Sequence, residues 1–181
     1  MRIVITQNMT LDGRVEMLDD WFDPGSQGDD LAAELREHSA HEDVLLLGRQ
    51  TFCDLRSYWP HQHDDTTGLA DHLNRVDKRV VSATLSELEW THSSLVRGDP
   101  LDAVRAMRDE PGGEVVVTGS IQLCHALIPA GLVDEYRMFV FPAWQGRGRG
   151  FFPEGQAVPD LRLLRAASFA GGVTYAAYEP G

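Results

Sequence analysis

The chain has 181 residues, 43% of them hydrophobic, and a formal net charge of −12. That length suits one domain with a full core, and the composition excludes a disordered chain. The acidity excludes nucleic acid and anionic membrane as main partners, since both need basic surface, but leaves room for a small anionic ligand held by a local arginine.

In chain order, residues 2–7, RIVITQ, are β-branched and predict a buried strand. LDG at 11–13 is a turn signal, and 14–28, rich in Asp, Gly and Trp, reads as a long functional loop. GDDLAAELREHSAHED places Leu31, Ala32 and Leu35 at helical spacing, with Asp29 or Asp30 as N-cap or first-turn acid. VLLLG at 44–48 predicts a strand buried on both faces, followed by a short helix from about Gln50. A polar loop over 56–72 runs into a helical piece in LADHLNRV, and KRVVSATL at 78–85 reads as a strand.

DPLDAVRAMRDE at 99–110 predicts a helix with an Asp cap, Pro at its first position, and Leu101, Val104 and Met107 on one side. PGGEVVVTGS gives a turn, a buried strand and a further glycine. IQLCHALIPAGLVDE predicts a helix from about Ser120 that stops before Pro129. EYRMFVFP alternates as a strand does, and LRLLRAASFAGGVTYAAYEP carries two strand-like runs joined by AGG, a hairpin signal. Strands alternating with helices and closing on a hairpin predict a single α/β domain over 1–181, with a mostly parallel sheet and an antiparallel edge.

Three apolar runs end in residues suited to a phosphate-bearing ligand: Gly48-Arg49-Gln50-Thr51, Ser82-Ala83-Thr84 and Thr118-Gly119-Ser120-Ile121. Helix N-termini present free N–H groups and partial positive charge, glycine lets the backbone come close, and arginine offers a donor fork. Any one of these alone reads equally as a tight turn and a helix cap. Together they could hold a molecule with two phosphate regions, such as NADPH. No GxGxxG fingerprint is present.

These residues carry a resemblance. NMTLDG (8–13), VLLLGRQTF (44–52), YWP (58–60), KRVVSATL (78–85), VVVTGSIQL (115–123), AGLVDEYRMFVFP (130–142) and GRGRGFF (146–152) run in the order seen in the dihydrofolate reductase-like family, which includes the C-terminal reductase domain of bacterial riboflavin biosynthesis. The chain most resembles the small stand-alone branch. The resemblance implies a three-layer fold with a mixed, largely parallel central sheet and a C-terminal antiparallel hairpin. It also implies NADPH as hydride donor and a homodimer. By matching position, it places Arg49 and Thr51 at the adenosine phosphates, and Ser82 and Thr84 near the 2′-phosphate and adenine. Gly119, Ser120 and Ile121 fall at the pyrophosphate turn, where Gly119-Ser120 stands for a family Gly-Gly. Gln7 and Val15 flank the nicotinamide.

Folate-reducing members carry an acid on the first helix; Asp30 and Glu34 are the candidates here, with Asp30 the candidate proton donor. An acid at that position also reads as a helix cap. Trp21, Phe22 and Trp59 could wall a flat ring pocket or simply pack. Asp12 reads as a turn former, and GRGRG at 146–150 as a flexible turn too small for nucleic acid. HQHDD at 61–65 lacks metal-site spacing, so no metal is expected. Cys53 and Cys124 fall in helical stretches, with no CxxC, which suits a reducing, cytoplasmic setting. The start has no secretory-signal pattern, and no apolar stretch approaches the ~20 residues of a membrane helix.

The expected activity is NADPH-dependent hydride transfer to a small flat heterocycle or a conjugated C=N or C=C acceptor, pteridine- or pyrimidine-like. The alternatives are a non-catalytic NADPH-binding sensor or scaffold, a true dihydrofolate reductase, and a 5-amino-6-(5-phosphoribosylamino)uracil reductase.

Overall fold

A computed structural model describes residues 1–23, 28–158 and 160–181. Part of the loop expected over 14–28, residues 24–27, therefore lies outside the described residues. Eight strands form one sheet: β1 (Arg2–Thr10), β2 (Glu42–Gly48), β3 (Asp77–Val81), β4 (Ser93–Val96), β5 (Glu114–Thr118), β6 (Glu135–Phe141), β7 (Leu161–Ser168) and β8 (Thr174–Pro180). Their spatial order is β4-β3-β2-β5-β1-β6-β8-β7. The first six strands pair in parallel, and β8 runs antiparallel to both β6 and β7. The mostly parallel sheet with its closing hairpin is the arrangement that the sequence predicts.

Among the described residues, five α-helices cover the sheet: α1 (Asp29–Ser39), α2 (Arg49–Tyr58), α3 (Leu69–Arg75), α4 (Pro100–Asp109) and α5 (Ile121–Leu127). Strand alternation sorts the core onto two faces. On one, Ile3, Ile5, Val44, Leu46, Val115, Val117 and Tyr136 pack under α4 and α5. The other carries two separate clusters. Leu45, Leu47 and Val80 lie under Phe52 of α2 and Leu73 of α3. Phe139, Phe141, Tyr175 and Ala177 lie under Leu31 of α1.

Several boundaries differ from expectation. β1 runs on to Thr10 because β6 continues to pair with it as far as Thr10↔Phe141. β3 ends at Val81, not 85, because Ser82 Oγ accepts the amides of Thr84 (3.2 Å) and Leu85 (3.0 Å) and turns the chain off the sheet. β4, SSLV, has no counterpart in the sequence reading; it is a short, half-exposed edge strand paired only to β3. The N-cap of α1 is Gly28, and Asp29 and Asp30 occupy its first turn.

Buried charges sit in this frame, among them an arginine bridge and a lone lysine. Arg137 of β6 reaches across β1 to Glu114 of β5 with two bonds of 2.8 and 2.7 Å, and also binds Glu135 at 2.6 Å. Lys78 of β3, fully buried, donates to the carbonyls of Leu73 (2.6 Å) and Val76 (2.9 Å) and lies 4.6 Å from the Trp90 ring centroid. Burial pulls its ammonium down to about 8.

Candidate functional site

The ends of β1, β2 and β5 are fastened to one another. The Gly48 amide donates to Ser120 Oγ at 2.9 Å, and the Ser120 amide donates to Thr51 Oγ1 at 2.8 Å. The Gln7 carboxamide donates to the Gly119 carbonyl (2.6 Å) and accepts the Gly119 amide (3.1 Å). Residues 48, 51, 119 and 120 therefore meet in one cradle, which joins two of the three strand ends singled out in the sequence. Gly119 and Ser120 are both left-handed, at φ +56° and +40°. For a serine that conformation costs about 1–2 kcal/mol. Its hydroxyl accepts the Gly48 amide, a bond that a second glycine could not supply, whereas its own amide bond to Thr51 needs no side chain.

Arg49 opens α2, is exposed, and has no partner among the described residues. No acid occupies the first turn of that helix. Across the β3 end, Val81, Ser82, Ala83, Val96, Arg97 and Gly98 line a groove of about 290 Å³. Arg97 makes no ion pair there; one of its nitrogens bonds the Leu85 carbonyl at 3.3 Å. Thr84 is exposed beside this groove. Arg97 escapes sequence reasoning because β4, the strand that presents it, is itself inconspicuous.

Between the two clusters on the α1/α2 face the sheet is incompletely covered, and this open strip is the cleft. Over β5 and β1, between them, Val116 and Val4 are buried, but Thr118, Thr6 and Asn8 are only half-buried although β1 lies deep inside the sheet. β5 last pairs with β1 at Thr6↔Thr118, so the β5-facing edge of β1 beyond Thr6 has no strand beside it. Gln7 points to the opposite face and spends its amide on the Gly119 turn and on Cys124 Sγ (3.3 Å). Burial pushes the Cys124 thiol up to about 12, leaving it unreactive. Val15 is buried, and its amide donates to the Arg149 carbonyl at 3.0 Å. Ile121 begins α5 and packs partly against the core.

The aromatic residues do not form one wall. Trp21 and Phe22 pack on Phe141, with ring centroids 5.7 and 5.4 Å away, and Trp21 Nε1 donates to Gln145 Oε1 at 2.9 Å. Trp59 belongs to the cluster on the α2/α3 side and meets the Tyr58 ring edge-on at 5.1 Å. The acids of α1 are already engaged. Asp30 accepts the Ala170 amide (2.7 Å) and the Leu31 amide (2.8 Å), tying α1 to the β7–β8 turn. The Ala170 bond holds its carboxyl below the usual range, the opposite of what a proton donor near neutrality requires. Glu34 is buried and pairs through both oxygens with Arg165, and with His38 at 3.0 Å. Asp12 acts as a turn organiser. The Thr10 hydroxyl and the amides of Gln145 and Gly146 bond its carboxylate, which falls to about 2. Arg147 and Arg149 pair with Asp19 and Glu16, so GRGRG presents no basic patch.

Asp65 of the HQHDD stretch caps α3, accepting from Thr67 and Ala70. Among the described residues no group of three His, Cys, Asp or Glu is placed to hold a metal, and no helix is long and apolar enough to cross a membrane.

Comparison with known proteins gives the family and the fold. The family model described as the RibD C-terminal domain matches residues 2–175. The uncharacterized protein YyaP of Bacillus subtilis (strain 168) is 27% identical over 185 residues, covering 98% of this chain and 94% of that protein. A putative riboflavin biosynthesis protein from Shewanella sp. PV-4 superimposes with a TM-score of 0.75 at 18% identity, over 100% of this chain and 99% of that one. Dihydrofolate reductase from Enterococcus faecalis, solved with NADP(H) and RAB-propyl, gives 0.65 at 16% identity, over 98% and 95%. The fold is thus dihydrofolate reductase-like.

Proposed function

The chain belongs to the RibD C-terminal domain family, and from that premise we propose that it is an NADPH-dependent reductase of a small, flat, conjugated acceptor. The observation that carries this reading is the cradle at Gly48, Thr51, Gly119 and Ser120, with the unpaired Arg49 at its lip. A turn of two left-handed residues brings backbone close to a pyrophosphate. Arg49 on one side and Arg97 with Ser82 on the other supply donors for the 2′-phosphate that separates NADPH from NADH. The uncovered edge of β1 offers backbone donors and acceptors to the nicotinamide carboxamide. When bound, the cofactor supplies the hydride; the protein orients the two rings and excludes water.

The test is NADPH oxidation at 340 nm with dihydrofolate, ribosylamino-pyrimidines, quinones and flavins, alongside cofactor titrations of Arg49→Gln and Arg97→Gln. Each variant should weaken NADPH by about tenfold and leave NADH nearly unchanged. Equal loss for both cofactors would overturn the assignment.

One observation favours a second reading. Neither Asp30 nor Glu34 is free to give a proton in the cleft. A domain that binds NADPH without turnover, as a sensor or scaffold, would show tight binding and no oxidation across the whole acceptor panel.

A further inference from the structure

On the cleft face of β1, Thr6 and Asn8 project in the same direction, and Thr118 of β5 stands beside Thr6 in register. All three are half-buried, and none of their side chains has a hydrogen-bond partner among the described residues. Polar side chains over the middle of a sheet are ordinarily satisfied by their neighbours or replaced by apolar ones. Here three adjoining ones are left open.

The charged groups around them are committed elsewhere. Arg137, the β6 residue opposite Thr6, is bound to Glu114 and Glu135. Glu34 on α1 is bound to Arg165 and His38. The floor of the cleft therefore presents one carboxamide and two hydroxyls, with no uncommitted carboxylate.

A carboxamide offers an N–H donor and a C=O acceptor side by side. Its complement is a cyclic amide, which offers the same pair in reverse. A carboxylate in this position would instead offer two acceptors and select a protonated, amidine-like ring. We infer that Asn8 sets the charge state of the acceptor that this cleft takes: its carboxamide reads a neutral, flat cyclic amide by a two-point hydrogen bond, and Thr6 and Thr118 fix the ring's orientation. This rests on the reductase reading for the ring's place beside the nicotinamide.

The test uses two flat bicyclic isosteres, 2-quinolone (a neutral lactam) and 2-aminoquinoline at a pH where it is protonated. Each is titrated by calorimetry into the full chain saturated with NADP⁺. Wild type should prefer the lactam by about tenfold. Asn8→Asp should reverse that preference, and Asn8→Ser, which cannot make the two-point bond, should abolish it. Melting temperatures measured alongside should show both variants folded as wild type is. An unchanged preference in Asn8→Asp, or a wild-type preference for the cation, overturns the inference. If NADP⁺ fails to bind wild type, it is the reductase reading that falls, and the same titrations without cofactor still decide the role of Asn8.

Discussion

Thr51 and Gly119 stand so close that a Cβ on the glycine would lie 2.8 Å from Thr51 Cγ2 and 3.0 Å from its Oγ1. With φ at +56°, the glycine is fixed twice, by conformation and by contact. Gly119→Ala should lose about 1–3 kcal/mol in urea unfolding and weaken NADPH binding. Adding Thr51→Ser removes the nearer methyl and should recover part of the stability. A single variant as stable as wild type would show that the turn has room to move.

Ser120 should separate strain from bonding. Ser120→Ala keeps the left-handed strain and strips the Gly48 amide of its acceptor, with an expected cost of about 1–3 kcal/mol. Ser120→Gly loses the same bond but relieves the backbone, so it should unfold at a higher denaturant concentration than Ser120→Ala. The reverse order would mean that φ +40° carries no strain here.

Arg137→Met leaves Glu114 and Glu135 in a buried site without their shared cation, although Arg2 still reaches Glu135 at 3.0 Å. An uncompensated buried charge costs about 3–5 kcal/mol. The triple variant with Glu114→Gln and Glu135→Gln should regain most of that. Chemical denaturation of the two variants side by side measures it.

Lys78 gives a pH dependence of known sign. Its folded-state value of about 8 lies below the ordinary 10.5, so between those limits the unfolded chain holds more protons than the native one. Stability contributed at this site therefore rises with pH through that window and is flat below it. Unfolding free energies of wild type and Lys78→Met, compared at the two ends of the window, should show wild type gaining on the variant as pH rises. A flat or falling difference would mean that the ammonium is not penalised by burial.

What was legible in the sequence follows from physics that acts locally. Apolar runs that end at Gly48 and Gly119 announce buried strands leaving the sheet, and the helix over 100–109 announces itself by Asp99, Pro100 and its spacing. SSLV carries no such mark, because an edge strand needs no apolar face, and Arg97 was lost with it. Asn8 lies just past the β-branched run 2–7; only the sheet order shows that β1 is central and its polar side uncovered. Asp30 matched a helix position, but its partner, Ala170, lies 140 residues away in the chain. Likewise, Trp59 and Trp21 looked alike as loop aromatics and packed into different clusters.

The Arg137 bridge has a mechanical meaning. It joins β5 to β6 across the lower part of β1, while the upper ends of those two strands lead separately into the Gly119 turn and the loop that Asp12 organises. β1 spans the distance between them: it stays paired to β6 as far as Thr10↔Phe141 and holds the Gly119 turn through Gln7, so the bridge and the turn brace one strand at two levels.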